Sequence, residues 1–530
     1  MKNRNLYIAL LTAGLLSTSV VSCKKDLLKT NPNNVTKDDY NKVASELLLS
    51  TNGIYSVLRG NNLTTREWFF LHDLRSDEAR AGGGQLEAFR GALLNGPADP
   101  TNAVVGSVFN ACYVMIHRAN VVIQKGPLIT DNPALAARCV GEAKFFRAWA
   151  YFELVSQWGG VPIQLTPVED PTDYKPRSTE AQVYAQIIAD ADAAYAALPN
   201  KSGYATGDRG RVTKSAALMV KARAQMQSGD YAGAKTTLLL IPTSGADGYG
   251  LVPRYLDNFE EEAEYNNESI FEVSNAERGT PGDNSYSYPG FGDGNVASTT
   301  SRSQEYNTTA WRNLIPSNKY LNEFERIGGS IPSAVDDPRF GYSIYKTGDL
   351  FFNGTKTLTD AMQGGDASNI TGIGVIKTGF RKYITLYKKD INPVYTASGV
   401  NTRIYRYAEV LLNLAECENE TVAGGGLAVT YLNAVRARTD VNMPGYPVNG
   451  FLIATKDDRT KAIMHEKMVE MGNEQVRSVD IIRWRKKGYI PALAPEPMSF
   501  FSAGRDNLLP FPTQEMDNNP LLNKTNNPGY

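Results

Sequence analysis

"VKARAQMQSGDYAGAKTTLLLIP", residues 220–242, is the stretch whose reading decides the fold. An alanine-rich apolar run meets a break at Ser228-Gly229-Asp230, and a second run then opens with Tyr231 and Ala234 and ends at Pro242. Apolar spacing of three and four residues on both sides of the break predicts two helices joined by a tight turn. Small residues along both runs let the helices pack closely, so the stretch reads as a packed pair. A second pair is expected from "YAEVLLNLAECENE" (407–420) followed by "GLAVTYLNAVRAR" (426–438).

The order of small residue, Gly, Tyr, Ala and terminal Pro matches the tetratricopeptide pattern, whose stacked helix pairs build one continuous core. Unrelated helical hairpins would show much the same spacing. The same periodicity predicts helices at 39–59, 103–125, 133–157, 179–198, 213–227, 231–240, 406–419 and 427–438. The chain is therefore expected to be mainly α, about four helix pairs carrying a loop-rich insertion at 241–405. Short β-like runs such as "SIFEV" and "YITLY" lie inside that insertion.

Composition bounds what the scaffold can do. With 530 residues and 42% apolar content, the chain can bury a large core. Fifty-five basic and 56 acidic residues leave a formal charge of -1, so no global field favours nucleic acid. Three His and no Cys-x-x-Cys pair argue against a transition-metal site, and no cofactor or metal is expected. Gly-x-Ser-x-Gly, His-Glu-x-x-His and P-loop patterns are absent from the sequence.

Lys2 and Arg4 precede an apolar run at 6–16, and small residues then lead to Val20-Val21-Ser22-Cys23, the layout of a secretory signal peptide over 1–22. Cys23 after a small residue resembles the lipobox of bacterial lipoproteins; an ordinary signal peptide with an incidental Cys is the plainer alternative. Each buried CH₂ contributes about 0.8 kcal/mol, so several acyl chains on Cys23 would anchor the protein to a membrane. Residues 23–37 then read as a lipid-attached flexible tether. Cys112, Cys139 and Cys417 fall in apolar helical patterns and are expected to be buried thiols.

The stretch "HEKMVEMGNEQVRSVDIIRW" (465–484) places Glu466, Glu470 and Glu474 four apart, then Arg477, Asp480 and Arg483 three apart. Read as one helix, it puts the Glu opposite an apolar face, with Arg477 able to serve Glu474 or Asp480. A glycoside hydrolase needs two carboxylates facing each other across a cleft, about 5–9.5 Å apart. Six charges on one helix suit an internal ion network better. For a ligand, two regions stand out. One is "LRSDEARAGGG" (74–84), where Asp77, Glu78 and Arg80 offer hydroxyl partners beside glycines that permit unusual backbone angles. The other is the insertion, where Tyr286, Tyr288, Phe291, Tyr306 and Trp311 mix with Gly, Asn and Asp. Aromatic faces with polar neighbours suit a sugar, and they equally suit a loop packed on itself.

On "GEAKFFRAWAYFELVSQWGGVPI" (141–163), "RYAEVLLNLAEC" (406–417), "YLNAVRAR" (431–438), the charged stretch at 465–484 and the tail "LLPFPTQEMDNNPLLNKTNNPGY" (508–530), the chain resembles the SusD/RagB family of Bacteroidetes outer-membrane nutrient-uptake lipoproteins. The resemblance implies an N-terminal helical region at 38–240, a RagB/SusD domain at 241–530, and a looped ligand face. It further implies a non-catalytic surface protein, lipidated at Cys23 with palmitate among its chains, that delivers oligosaccharide to a SusC-like TonB-dependent transporter barrel. A peptide-binding member of the same fold and a secreted glycoside hydrolase are the alternatives.

Overall fold

A computed structural model of the chain describes residues 40–96, 98–276, 299–390, 398–490 and 502–530. The helices are α1 (Ala44–Leu58), α2 (Glu67–Leu74), α3 (Ala88–Asn95), α4 (Ala103–Lys125), α5 (Pro133–Trp158), α6 (Glu180–Ala197), α7 (Lys214–Ser228) and α8 (Tyr231–Leu238). Across the insertion come the short α9 (Arg302–Tyr306), α10 (Asn318–Glu323) and α11 (Arg339–Ser343), then α12 (Tyr407–Thr421), α13 (Ala428–Arg436), α14 (Lys456–Met471) and α15 (Arg477–Lys486), and in the tail the short α16 (Ala503–Asp506) and α17 (Thr513–Asn518).

The deciding stretch folds as a hairpin for local reasons. Gly229 ends α7 in the left-handed region at φ +89°, which only glycine adopts without cost. Asp230 then caps α8, its Oδ1 accepting from the Gly233 amide at 2.8 Å. A Cβ on Gly233 would fall 2.0 Å from Asp230 Oδ2, so the cap itself requires glycine there. Asn102 caps α4, and Thr179 closes a capping box with Gln182 on α6.

Pairs α1/α4, α5/α6, α7/α8 and α12/α13 stack in that order, α4 on α5, α6 on α7 and α8 on α12. The last contact carries the solenoid across the insertion. Ala191, Ala194, Ala216, Ala222, Ala224 and Ala234 are buried at these crossings, where small side chains let backbones approach. The C-terminal tail docks back on α5: Trp158 Nε1 donates to Pro510 O at 2.9 Å, and Asn527 Nδ2 donates to Trp158 O at 2.9 Å.

The described strands form six two-stranded sheets. "SIFEV" is the strand Ser269–Val273, paired antiparallel with Thr402–Arg406. "YITLY" is not a strand: Tyr383 sits at φ +63° and Thr385–Tyr387 form a 3₁₀ turn, because a left-handed residue cannot continue a ladder. The stretch 465–484 is also not one helix. Asn473 at φ +62° and Gln475 at φ +60° break it between α14 and α15, so Glu474 lies in the connector. Cys112, Cys139 and Cys417 are buried and free. No helix among the described residues is long and apolar enough to cross a membrane.

Candidate ligand-binding face

After α2 the chain turns through Ser76 into the strand Ala79–Ala81, which pairs antiparallel with Leu314–Pro316, Arg80 opposite Ile315. Ala79 is buried and Arg80 is partly exposed. The ladder continues as Gly82 N donates to Asn313 O at 3.1 Å, and the Gly82 carbonyl accepts from Asp366 N at 3.2 Å. Three segments thus meet backbone to backbone. A Cβ on Gly82 would lie 1.9 Å from Arg312 O, and one on Gly365, at φ +64°, would lie 1.8 Å from Gly82 O. Only glycine fits at either position.

Arg312 staples the junction. Its own backbone is left-handed at φ +54°, and its side chain is buried. The guanidinium donates to four main-chain carbonyls: Gly82 at 2.9 Å, Asp366 at 2.8 Å, Thr378 at 2.9 Å, and Gly364. Burial, with Arg80 alongside, pulls its pKa down to about 10. Arg80 adds a second tie, Nη2 donating to Ala367 O at 2.8 Å and Ser368 Oγ at 3.1 Å. Trp311 is half-buried beside this staple, its amide donating to Gln304 O at 3.2 Å. The Asp366 side chain is exposed on the same loop.

Asp77, Glu78 and Tyr306 are buried and do not belong to this surface, contrary to the sequence expectation; Glu78 accepts from the Asn473 amide at 3.1 Å. Asp77 is 5% exposed and held by Arg477 at 2.7 and 3.0 Å and by Lys319. Burial raises its pKa, but those two cations outweigh burial and hold it well below the usual carboxylate range. Tyr306 is fully buried; its hydroxyl donates to Asp73 Oδ2 at 2.8 Å, and its ring meets Phe69 and Phe70 edge-on at 5.2 and 5.4 Å. Aromatic and acidic residues next to the candidate loop are thus drawn into its foundation. Tyr286, Tyr288 and Phe291 lie outside the described residues, as does Cys23. Sequence reasoning missed Arg312, Gly365 and Asp366. The legible signal was a second glycine pair, Gly364-Gly365, answering Gly82–Gly84.

The carboxylates at 465–484 face inward. Glu466 meets Arg339 at 2.5 Å and Arg436 at 3.1 Å; Glu470 meets Arg406 and Arg438 at 2.7 Å each; Glu474 meets Arg406 at 2.6 Å and Lys382 at 2.8 Å. All three are buried. Arg477 serves Asp77 across the molecule, not Glu474 or Asp480, because α15 begins only after the break and points it towards α2. These groups build an internal ion network. Among the described residues, no cluster of three or more His, Cys, Asp or Glu is placed to hold a metal ion.

Residues 267–530 match the family model described as SusD family, and residues 37–226 match one described as starch-binding associating with outer membrane. A SusD-like protein P2 of Formosa agariphila is 26% identical over 97% of this chain and 98% of its own. Among solved structures, a SusD superfamily protein from Bacteroides vulgatus aligns with a TM-score of 0.73 at 22% identity, covering 93% of this chain and 100% of its own. Surface glycan-binding protein A from Bacteroides thetaiotaomicron, solved in complex with laminarihexaose, aligns at a TM-score of 0.69 and 21% identity, over 91% and 99% of the two chains. The two structures share this chain's fold.

Proposed function

The chain belongs to the SusD family, and from that premise we propose that it is a non-catalytic cell-surface lipoprotein that captures an oligosaccharide and delivers it to a SusC-like TonB-dependent transporter. In this reading, residues 1–22 are removed, Cys23 is acylated, and the following tether holds the body at the outer membrane. The observation that carries the binding part is the stapled junction of 79–84, 312–316 and 364–368, which holds Trp311, Arg80 and Asp366 on a rigid support. A ring of that kind stacks on the C–H face of a sugar, while Arg and Asp reach its hydroxyls. The N-terminal match to a family described as starch-binding associating with outer membrane supports the ligand class, as does the laminarihexaose held by the structural relative. The engagement of Glu466, Glu470 and Glu474 by buried arginines supports binding over hydrolysis, since none of them is left to work as acid or nucleophile.

A glycan array on residues 24–530, followed by titration calorimetry, tests the reading. Trp311→Ala is expected to weaken the best glycan at least tenfold, about 1.4 kcal/mol, with the melting temperature little changed. Normal affinity in that variant, cleavage of the glycan, or selective capture of peptides in place of glycans would each overturn it.

A further inference from the structure

The helical scaffold carries a cavity that shares no residue with the Trp311 face. It lies between the α6–α7 connector and the strand Ser269–Val273 and has a volume of about 270 Å³. A second lobe of about 190 Å³ adjoins it through Arg209, Arg211, Phe271 and Glu272. A volume near 300 Å³ is the lower end of the range for small-molecule sites. The lining alternates rings and cations: Tyr204, Tyr249, Tyr265 and Phe271 with Lys201 and Arg209.

The cavity wall is held in a costly conformation. Tyr265 sits at φ +55°, fixed by its amide donating to Glu272 Oε1 at 2.5 Å and by a hydroxyl contact with Ser274. Opposite it, a Cβ on Gly210, at φ +95°, would lie 3.1 Å from Tyr265 Cε1 and 2.9 Å from Ser274 Oγ. Left-handed non-glycine residues over-determined by their surroundings cluster at ligand clamps.

Charge balance indicates the occupant. Glu272 is engaged by Arg403 at 2.9 Å and Ser269 at 3.0 Å, and Arg211 by Glu142 at 2.9 Å and Asp208 at 2.6 Å. Lys201 and Arg209 meet only neutral groups at close range among the described residues. Lys201 Nζ donates to Asn266 O at 3.1 Å and stands 5.5 Å from the Tyr249 ring centre. Arg209 Nη2 donates to Tyr265 O at 3.3 Å, its guanidinium 4.9 Å over the Tyr265 ring. Asp247 accepts from the Ser202 amide at 2.8 Å. Burial and the neighbouring Arg209 lower the Lys201 pKa against the pull of Glu272 and Asp247. Glu272, the carboxylate in the lining, is thus committed to Arg403, and two cations face one ring-lined cavity without a direct ion pair of their own among the described residues.

We propose that this cavity is a second ligand site that takes one sugar-sized ring bearing an oxyanion, either a uronate carboxylate or a sulfate ester, with the oxyanion between Lys201 and Arg209. The site stands apart from the Trp311 face, so the two readings fail separately. The test is calorimetry on residues 24–530 with methyl glucuronide, glucose 6-sulfate, methyl glucoside and inorganic sulfate. At least one of the two acidic sugars is expected to bind at least tenfold more tightly than methyl glucoside and than inorganic sulfate, the tighter of the two identifying the oxyanion. Arg209→Gln, alone and with Lys201→Gln, is expected to abolish that preference while glycan binding at the Trp311 face is unchanged; Trp311→Ala should leave it intact. Equal affinity for acidic and neutral sugars, no binding of either acidic sugar, sulfate matching the sugars, or a preference that survives the double substitution would overturn the proposal.

Discussion

Glu470 accepts from Arg406 and Arg438, each at 2.7 Å, with Arg339 at 3.2 Å, and all four side chains are buried. Glu470→Gln leaves three guanidinium groups short of one charge in low dielectric, where breaking a buried ion pair costs about 3–5 kcal/mol. Chemical denaturation should show a loss of that order, while glycan affinity per folded molecule stays the same. A melting curve matching wild type, with binding lost, would place the ligand on α14. Glu78 is the contrasting case. It is buried with the Asn473 amide donating to it at 3.1 Å, and burial pushes its pKa from 4.5 up to about 8. Between those two values the native state holds a proton that the unfolded chain has released, so this group's contribution to stability falls as pH rises through that window. Glu78→Gln, which imitates the protonated acid, should flatten the fall and gain stability relative to wild type at pH 8. Parallel stability curves for the two proteins from pH 5 to pH 8 would refute that assignment.

At the scale of elements, the candidate face depends on one side chain clamping three segments. Arg312→Met removes donors to the carbonyls of Gly82, Gly364, Asp366 and Thr378 and leaves those acceptors inside a closed junction. Hydrogen exchange should speed up at the Asp366 amide, which donates to Gly82 O, while the amides of α5 and α7 stay protected as in wild type. Exchange at 363–368 equal to wild type would show that backbone pairing alone holds the loop. The break between α14 and α15 is an element-scale event of the same kind. A Cβ on Gly472 would lie 2.3 Å from Tyr320 Oη, so the connector passes α10 at a distance only glycine permits. Periodicity in 465–484 describes two helices well and cannot register the left-handed Asn473 and Gln475 that separate them.

For the whole molecule, the helix pairs stack in contact from α1 to α13, and the C-terminal tail docks back on α5. In the proposed reading the attachment to the membrane is the acylated Cys23. Cys23→Ala is expected to move the protein from the membrane fraction to the soluble one with an unchanged melting temperature. Sedimentation with membranes in detergent-free buffer and high salt would rule out acylation as the anchor.

The sequence by itself specified most of the long helices and the two hairpins at 220–242 and 407–438. Apolar spacing, capping Asn, Thr and Asp residues and the Gly229 break are local, and α4 through α8 begin where those signals put them. It also announced the buried character of the charged stretch and the fate of its three remaining cysteines. Only the tertiary structure decided which polar and aromatic side chains reach the surface. Asp77 and Tyr306 look like ligand groups in a line of text, and their partners, Arg477 and Asp73, stand 400 and 233 residues away. Arg312 looks like an ordinary surface charge until four carbonyls from distant segments converge on it. Local pattern fixes an element because its hydrogen bonds run to near neighbours, whereas a buried charge or a ligand face is defined by contacts that exist only once the chain has closed on itself.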